Sequence, residues 1–220
     1  IYLGRKYNLK DFQFSQSFFM FWDKLEKSNY FLESIINTAD KHWNSRLVMY
    51  LLNAPIQDGG QWDMWVNLVN KYGVVPQSEM PESFSSSRSM RMNRMITRKL
   101  RENAIILRGL KNKEASFDDI NNEKNQMLEQ IYKMLVIHLG NPPNSFDWQT
   151  RDKKKNFLRF ENLDPNSFYN EHIGLKLDDY VCLINCPMSD KEYNKVYTVD
   201  YLGNVIEGNS IRYLNVEIED

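Results

Sequence analysis

The sequence predicts an α+β fold, in which a helical half is followed by short strands. Three observations carry that expectation. Apolar residues recur at helical spacing through most of the first 140 positions, the pattern then changes to short aromatic and β-branched runs, and an apolar content of 42% in 220 residues is ample for a core. The expected organisation is a helical half over residues 1–87, a helical hairpin over 88–140 and a β-rich segment over 141–220.

The first long helix runs from Ser15, a suitable N-cap, to about Ala39, with Phe18, Phe21, Trp22, Leu25, Leu32, Ile35 and Ile36 at mostly three- and four-residue spacing. That density of apolar side chains predicts a largely buried helix. A second helix, RLVMYLLN (Arg46 to Asn53), ends before Pro55. The stretch QDGGQWDMW then places Gly59 and Gly60 directly before a third helix, which Gly73 closes at a C-terminal cap position. A turn needs one glycine at most. Two in a row point to a backbone that either adopts unusual dihedral angles or is approached closely by something else. The prolines and serines of VVPQSEMPESFSSSRS predict a loop.

Two longer helices follow. SMRMNRMITRKLRENAIILRGLKNK leads into a helix that Ser116 and Asp119 open at capping-box spacing and Gly140 stops before Pro142 and Pro143, which predicts a hairpin. Strands are expected at Phe146 to Trp148, Phe157 to Phe160, Tyr180 to Ile184, Val196 to Val199 and Ile211 to Val216, with one helix between them capped by Asp164 and started by Pro165. The acidic residues of NVEIED look like the first turn of a further helix, and Ile1 opens in mid-pattern, so an excised piece of a longer chain is expected.

A formal net charge of −1 advertises neither a nucleic-acid nor a membrane partner for the molecule as a whole. No apolar run approaches the roughly 18 residues of a membrane span, and Cys182 and Cys186 are the only cysteines, so a reducing, cytoplasmic setting is expected. A nucleophilic cysteine would have to pair with His42, His138 or His172. The contexts oppose it. Cys182 lies in the apolar strand pattern DYVCLINC with no following helix N-terminus to activate a thiol, His138 reads as a core or helix-end histidine, and His42 and His172 read as surface residues. Two cysteines and three scattered histidines offer no metal-ligand spacing, and neither a dinucleotide fingerprint nor a phosphate loop is present, so no metal or cofactor is expected.

Charge is concentrated between Arg88 and Lys113. Arg91, Arg94, Arg98 and Arg101 share one face of the hairpin's first helix, while Met92, Met95, Ile96 and Leu100 on the other suit core packing. Such a stripe could track the phosphates of a nucleic acid. It could equally be a solvated face, or one paired with acids on a neighbouring helix or subunit.

The segments FQFSQSFFMFWDKLEKSNYFLE, DGGQWDMWVNLVNKYGVVPQSEMPESFSSS, LGNPPNSFDWQTRDKKKN and YNKVYTVDYLGN resemble, in order and spacing, the bleomycin hydrolase and aminopeptidase C family. The resemblance implies a papain-like cysteine peptidase segment: a helical half, a helical hairpin insertion and a partial antiparallel sheet. It also implies peptide substrates cleaved at their N-termini, a cytosolic homohexamer and, in some members, nucleic-acid binding. Gly59 and Gly60 match the glycine pair along which papain-like enzymes lay an extended substrate, flanked by Asp58 and Gln61; by the same resemblance Asp58 could bear on the substrate's free amino end. The family's Gly-Arg-Cys-Trp nucleophile motif and its His and Asn motifs are absent from these residues, so this chain by itself is expected to be inactive. The alternative expectation is a truncated, inactive homologue serving as a nucleic-acid-binding or assembly module.

Overall fold

A computed structural model describes residues 2–218. Its organising element is α2 (Gln16–Asn37), whose N-cap Ser15 accepts a hydrogen bond from the Phe18 N–H. Phe18, Phe21, Leu32 and Ile35 are buried along it, each contributing on the order of 1.5–3 kcal/mol by leaving water. Around α2 pack α3 (Arg46–Asn53), α4 (Trp62–Tyr72), the short α5 (Phe84–Ser87), and the hairpin of α6 (Met90–Asn112) and α7 (Phe117–Leu139). One continuous apolar core runs through these helices and extends in sequence from Leu3 to Leu177.

The caps fall where local chemistry put them. Ser116 accepts from the Asp119 N–H, Asp164 forms a capping box with Ser167 at the start of α8 (Pro165–His172), and Gly73 and Gly140 end their helices with φ of 70° and 89°. The hairpin's inner face is as expected at Met92, Ile96 and Leu100, all fully buried. Met95 is a correction: it is 47% exposed, because the buried stripe of α6 is narrow and position 95 falls outside it. Arg108, within the basic segment but outside the stripe, lies buried, donates to the carbonyls of Thr38 and Lys41, and stacks over Trp43 at 4.3 Å.

Two small sheets complete the described residues. β1 (Phe146–Arg151) and β2 (Phe157–Leu163) form an antiparallel hairpin, whereas β3 (Cys182–Ile184) pairs in parallel with β5 (Tyr213–Asn215), and β4 (Val196–Tyr197) is antiparallel to β5. The parallel pairing departs from the expected antiparallel sheet: Asn215, the fully buried last residue of β5, accepts from the Cys186 N–H and donates to the carbonyls of Cys186 and Lys191, which ties the β3 exit alongside β5. The loop expected after α4 contains α5, opened by a Ser83–Ser86 capping box. Tyr2–Lys6 form α1, which the sequence pattern did not announce. No helix opens over Val216–Ile218, and the end of the NVEIED segment lies outside the described residues.

His172 is a further correction. Expected at the surface, it is 6% exposed at the end of α8, ringed by Tyr7, Trp148, Phe160 and Phe168, with Nδ1 2.6 Å from the Tyr7 hydroxyl. Lys6 donates to the carbonyls of Glu171 and His172, capping α8 and closing the box. Burial, with the nearby Lys6 charge, pushes the imidazole pKa down, and Glu171 opposes this weakly.

Candidate functional site

Gly59 and Gly60 are exposed and neither has a positive φ. A methyl group built at either position meets no atom within 4 Å. Conformation and packing within the chain would therefore accept alanine at both places, in contrast to Gly73. The pair therefore makes no left-handed turn, which leaves approach from outside as the remaining alternative. The backbone is open to such an approach. Among the described residues, neither the N–H nor the C=O of Gly60 has a hydrogen-bond partner.

The pair forms a ridge between two cavities. One, of about 300 Å³, is lined by Tyr30, Tyr50 and Tyr201 among others; the second, of about 340 Å³, by Phe19, Met20 and Trp65, and both share Gln61 and Met64. Behind the ridge α4 begins, its Gln61 N-cap extended and its side-chain amide without a hydrogen bond among the described residues. Trp62 and Trp65 lie 5.2 Å apart, Trp65 packs on Phe19, and Asp63, fully buried, accepts from the backbone and guanidinium of Arg212. The start of α4 is held rigidly at the edge of a bare strip of main chain.

Beneath the ridge lies a charged cluster on α2. Lys24 is 1% exposed, pairs with Asp58 at 2.7 Å and donates to the Gln57 carbonyl; Lys27 pairs with Asp23 at 2.6 Å and donates to the carbonyls of Gln57 and Gly59. Burial pushes the Lys24 ammonium down and the Asp23 carboxyl up, each countered by its partner. At Asp58 burial is outweighed by bonds from Lys24, Asn93 and Ser89, which hold its pKa at about 2. Both Asp58 oxygens are thus engaged, and the residue ties the glycine segment to α2 and α6. Sequence reasoning missed Asp23, Lys24 and Lys27. Their signal was a run of charges, Glu26 among them, inside a largely buried helix, where charges persist only when paired.

The remaining expected residues lie apart from the ridge. Arg91, Arg94 and Arg98 are exposed on α6, with Arg98 3.3 Å from Glu102, while Arg101 turns back to the carbonyls of Leu52 and Asn53. Cys182 and Cys186 are only partly buried, and each histidine is bonded elsewhere: His42 to Asn44, His138 to Ser85 and His172 to Tyr7. His138 stands at a helix end, as expected.

The model of the Peptidase C1-like family matches residues 1–220. The chain is 48% identical over 211 residues to an aminopeptidase C of Listeria innocua, covering 96% of this chain and 47% of that protein. It is 42% identical over 219 residues to bleomycin hydrolase of Homo sapiens, covering 98% and 48%. A crystal structure of pepw from Lactobacillus rhamnosis superposes with a TM-score of 0.97 at 47% identity, over 98% of this chain and 48% of that one. The chain spans about half the length of the curated relatives it matches.

Proposed function

The chain belongs to the Peptidase C1-like family, and from that premise we propose that it supplies one wall of the peptide cleft of a cysteine aminopeptidase. The thiolate that attacks the peptide lies, in this reading, outside these residues. The proposal extends to a cytoplasmic setting and a homohexameric assembly, for which exposed Ile105, Phe117 and Ile137 on the helical hairpin offer apolar surface for subunit contact.

One observation carries the proposal: a bare, exposed main-chain ridge at Gly59 and Gly60, whose Gly60 N–H and C=O are unpaired among the described residues. An extended peptide laid against it gains main-chain hydrogen bonds in the manner of an added strand, and side chains at alternate positions enter the flanking cavities. Gln61 contributes a free amide at the same edge. Asp58, already engaged with Lys24, Ser89 and Asn93, fixes the ridge rather than the peptide.

The test is Gly60→Ala in the full-length protein, assayed on an unblocked alanine oligopeptide. A methyl group on the ridge holds the peptide off, so kcat/KM falls while the melting temperature stays put or rises slightly. Unchanged kcat/KM would leave the glycines without a role in binding. A second reading, nucleic-acid contact through α6, rests on Arg91, Arg94 and Arg98 being exposed on one helix, with only Arg98 offset by an acidic neighbour among the described residues.

A further inference from the structure

We infer that Lys27, supported by Lys24, is the positioning residue that sets which way the ridge presents its hydrogen-bonding groups. The inference rests on the peptide-wall reading above and goes beyond it by assigning a function to buried charges on the opposite side of the main chain.

An ammonium has three N–H donors, and the three acceptors around Lys27 are the Asp23 carboxylate at 2.6 Å, the Gln57 carbonyl at 2.8 Å and the Gly59 carbonyl at 2.7 Å. Lys24 adds a second donor to the Gln57 carbonyl at 2.8 Å. In a planar trans peptide the C=O of one residue and the N–H of the next point in opposite directions. Gripping the Gly59 carbonyl from α2, with the Gln57 carbonyl held across the bend at Asp58, therefore turns the Gly60 N–H the opposite way, toward the open side where a peptide would lie. Glycine cannot hold that orientation alone, since without a Cβ it is the residue freest to rotate. The bare ridge needs an external clamp, and the lysines are in place to act as one.

The energetics favour this reading over simple packing. Lys24 is 1% and Lys27 6% exposed, and in such places well-packed apolar side chains generally stabilise a fold as well as an ion pair does. Apolar residues at both positions would fill the volume and would leave the two carbonyls without donors, and one at Lys27 alone would strip the Gly59 carbonyl of its donor. The pair is therefore best explained by the direction it imposes on the main chain.

The experiment compares three variants of the full-length protein on an unblocked alanine oligopeptide: Lys27→Arg, the double variant Asp23→Asn with Lys27→Met, and Gly60→Ala. The double variant removes both charges together, so no unpaired ion remains and the fold is retained. Loss of one oriented peptide contact predicts a KM increase of roughly three- to ten-fold in the double variant, with kcat little changed and the melting temperature near that of the parent. Lys27→Arg, which keeps donors on both carbonyls, restores most of the KM. A parental KM in the double variant, with Gly60→Ala still impaired, overturns the positioning role and leaves the ridge intact. Equal loss of kcat and stability without rescue by arginine also overturns it, since that marks a merely structural pair. Full activity of Gly60→Ala removes the ridge itself and the inference with it.

Discussion

Gly73→Ala should destabilise the protein severely, and the size of the effect follows from two separate costs. Gly73 sits at φ 70° and ψ −153°, a region that residues with a Cβ scarcely enter, which costs about 1–3 kcal/mol. The added methyl would also lie 2.2 Å from the carbonyl carbon and oxygen of Pro165 and 2.5 Å from the Asn166 nitrogen. These are main-chain atoms in the first turn of α8, so relief requires moving that helix, at a further cost of about 1–3 kcal/mol. The shift would strain the hydrogen bond from the Val74 N–H to the Pro165 carbonyl and the packing of Phe168 in the core. At roughly 2–4 °C per kcal/mol for a protein of this size, the melting temperature should fall by about 5 °C or more. Thermal unfolding followed by circular dichroism, with Gly60→Ala alongside, checks this. Gly60→Ala meets no atom and no positive φ, so it should be neutral or stabilising by about 0.4–1 kcal/mol through the unfolded chain. A Gly73→Ala protein that melts with the parent, or a Gly60→Ala protein that falls as far, would refute the separation of structural from functional glycines.

Acidification should weaken the box around His172: its folded pKa lies below the ordinary 6.5, so its contribution is complete above that value and is lost as pH falls through the folded pKa. Below pH 6.5 the unfolded state binds the proton first, and stability measured by denaturant titration between pH 7 and 5 should decline less steeply in His172→Asn. Charge reversal at Arg94 and Arg98 should weaken retention on single-stranded DNA, most visibly at low salt, and unchanged retention would reduce the stripe to a solvated face. The chain produced alone should not turn over an aminoacyl fluorogenic substrate, because each of His42, His138 and His172 is bonded away from the cysteines. Turnover abolished by Cys182→Ala or Cys186→Ala would contradict this.

What the sequence determined by itself was what neighbouring residues decide among themselves. Ser15, Ser116 and Asp164 cap helices within three positions of their own side chains, and Gly73 and Gly140 end them, because these interactions are local and recur wherever the spacing does. The glycine pair was legible too, as a backbone without side chains, and its neighbours named a family. Tertiary structure alone decided the partners of buried polar groups. Lys24 and Lys27 reach Gln57 across about thirty residues of chain, Arg108 reaches Thr38 across 70, and His172 reaches Tyr7 across 165. No local pattern encodes such pairs. A charged or aromatic side chain looks the same in sequence whether it faces water or a distant carbonyl, and the choice is made only when packing removes the water and the group must find a partner or leave the interior.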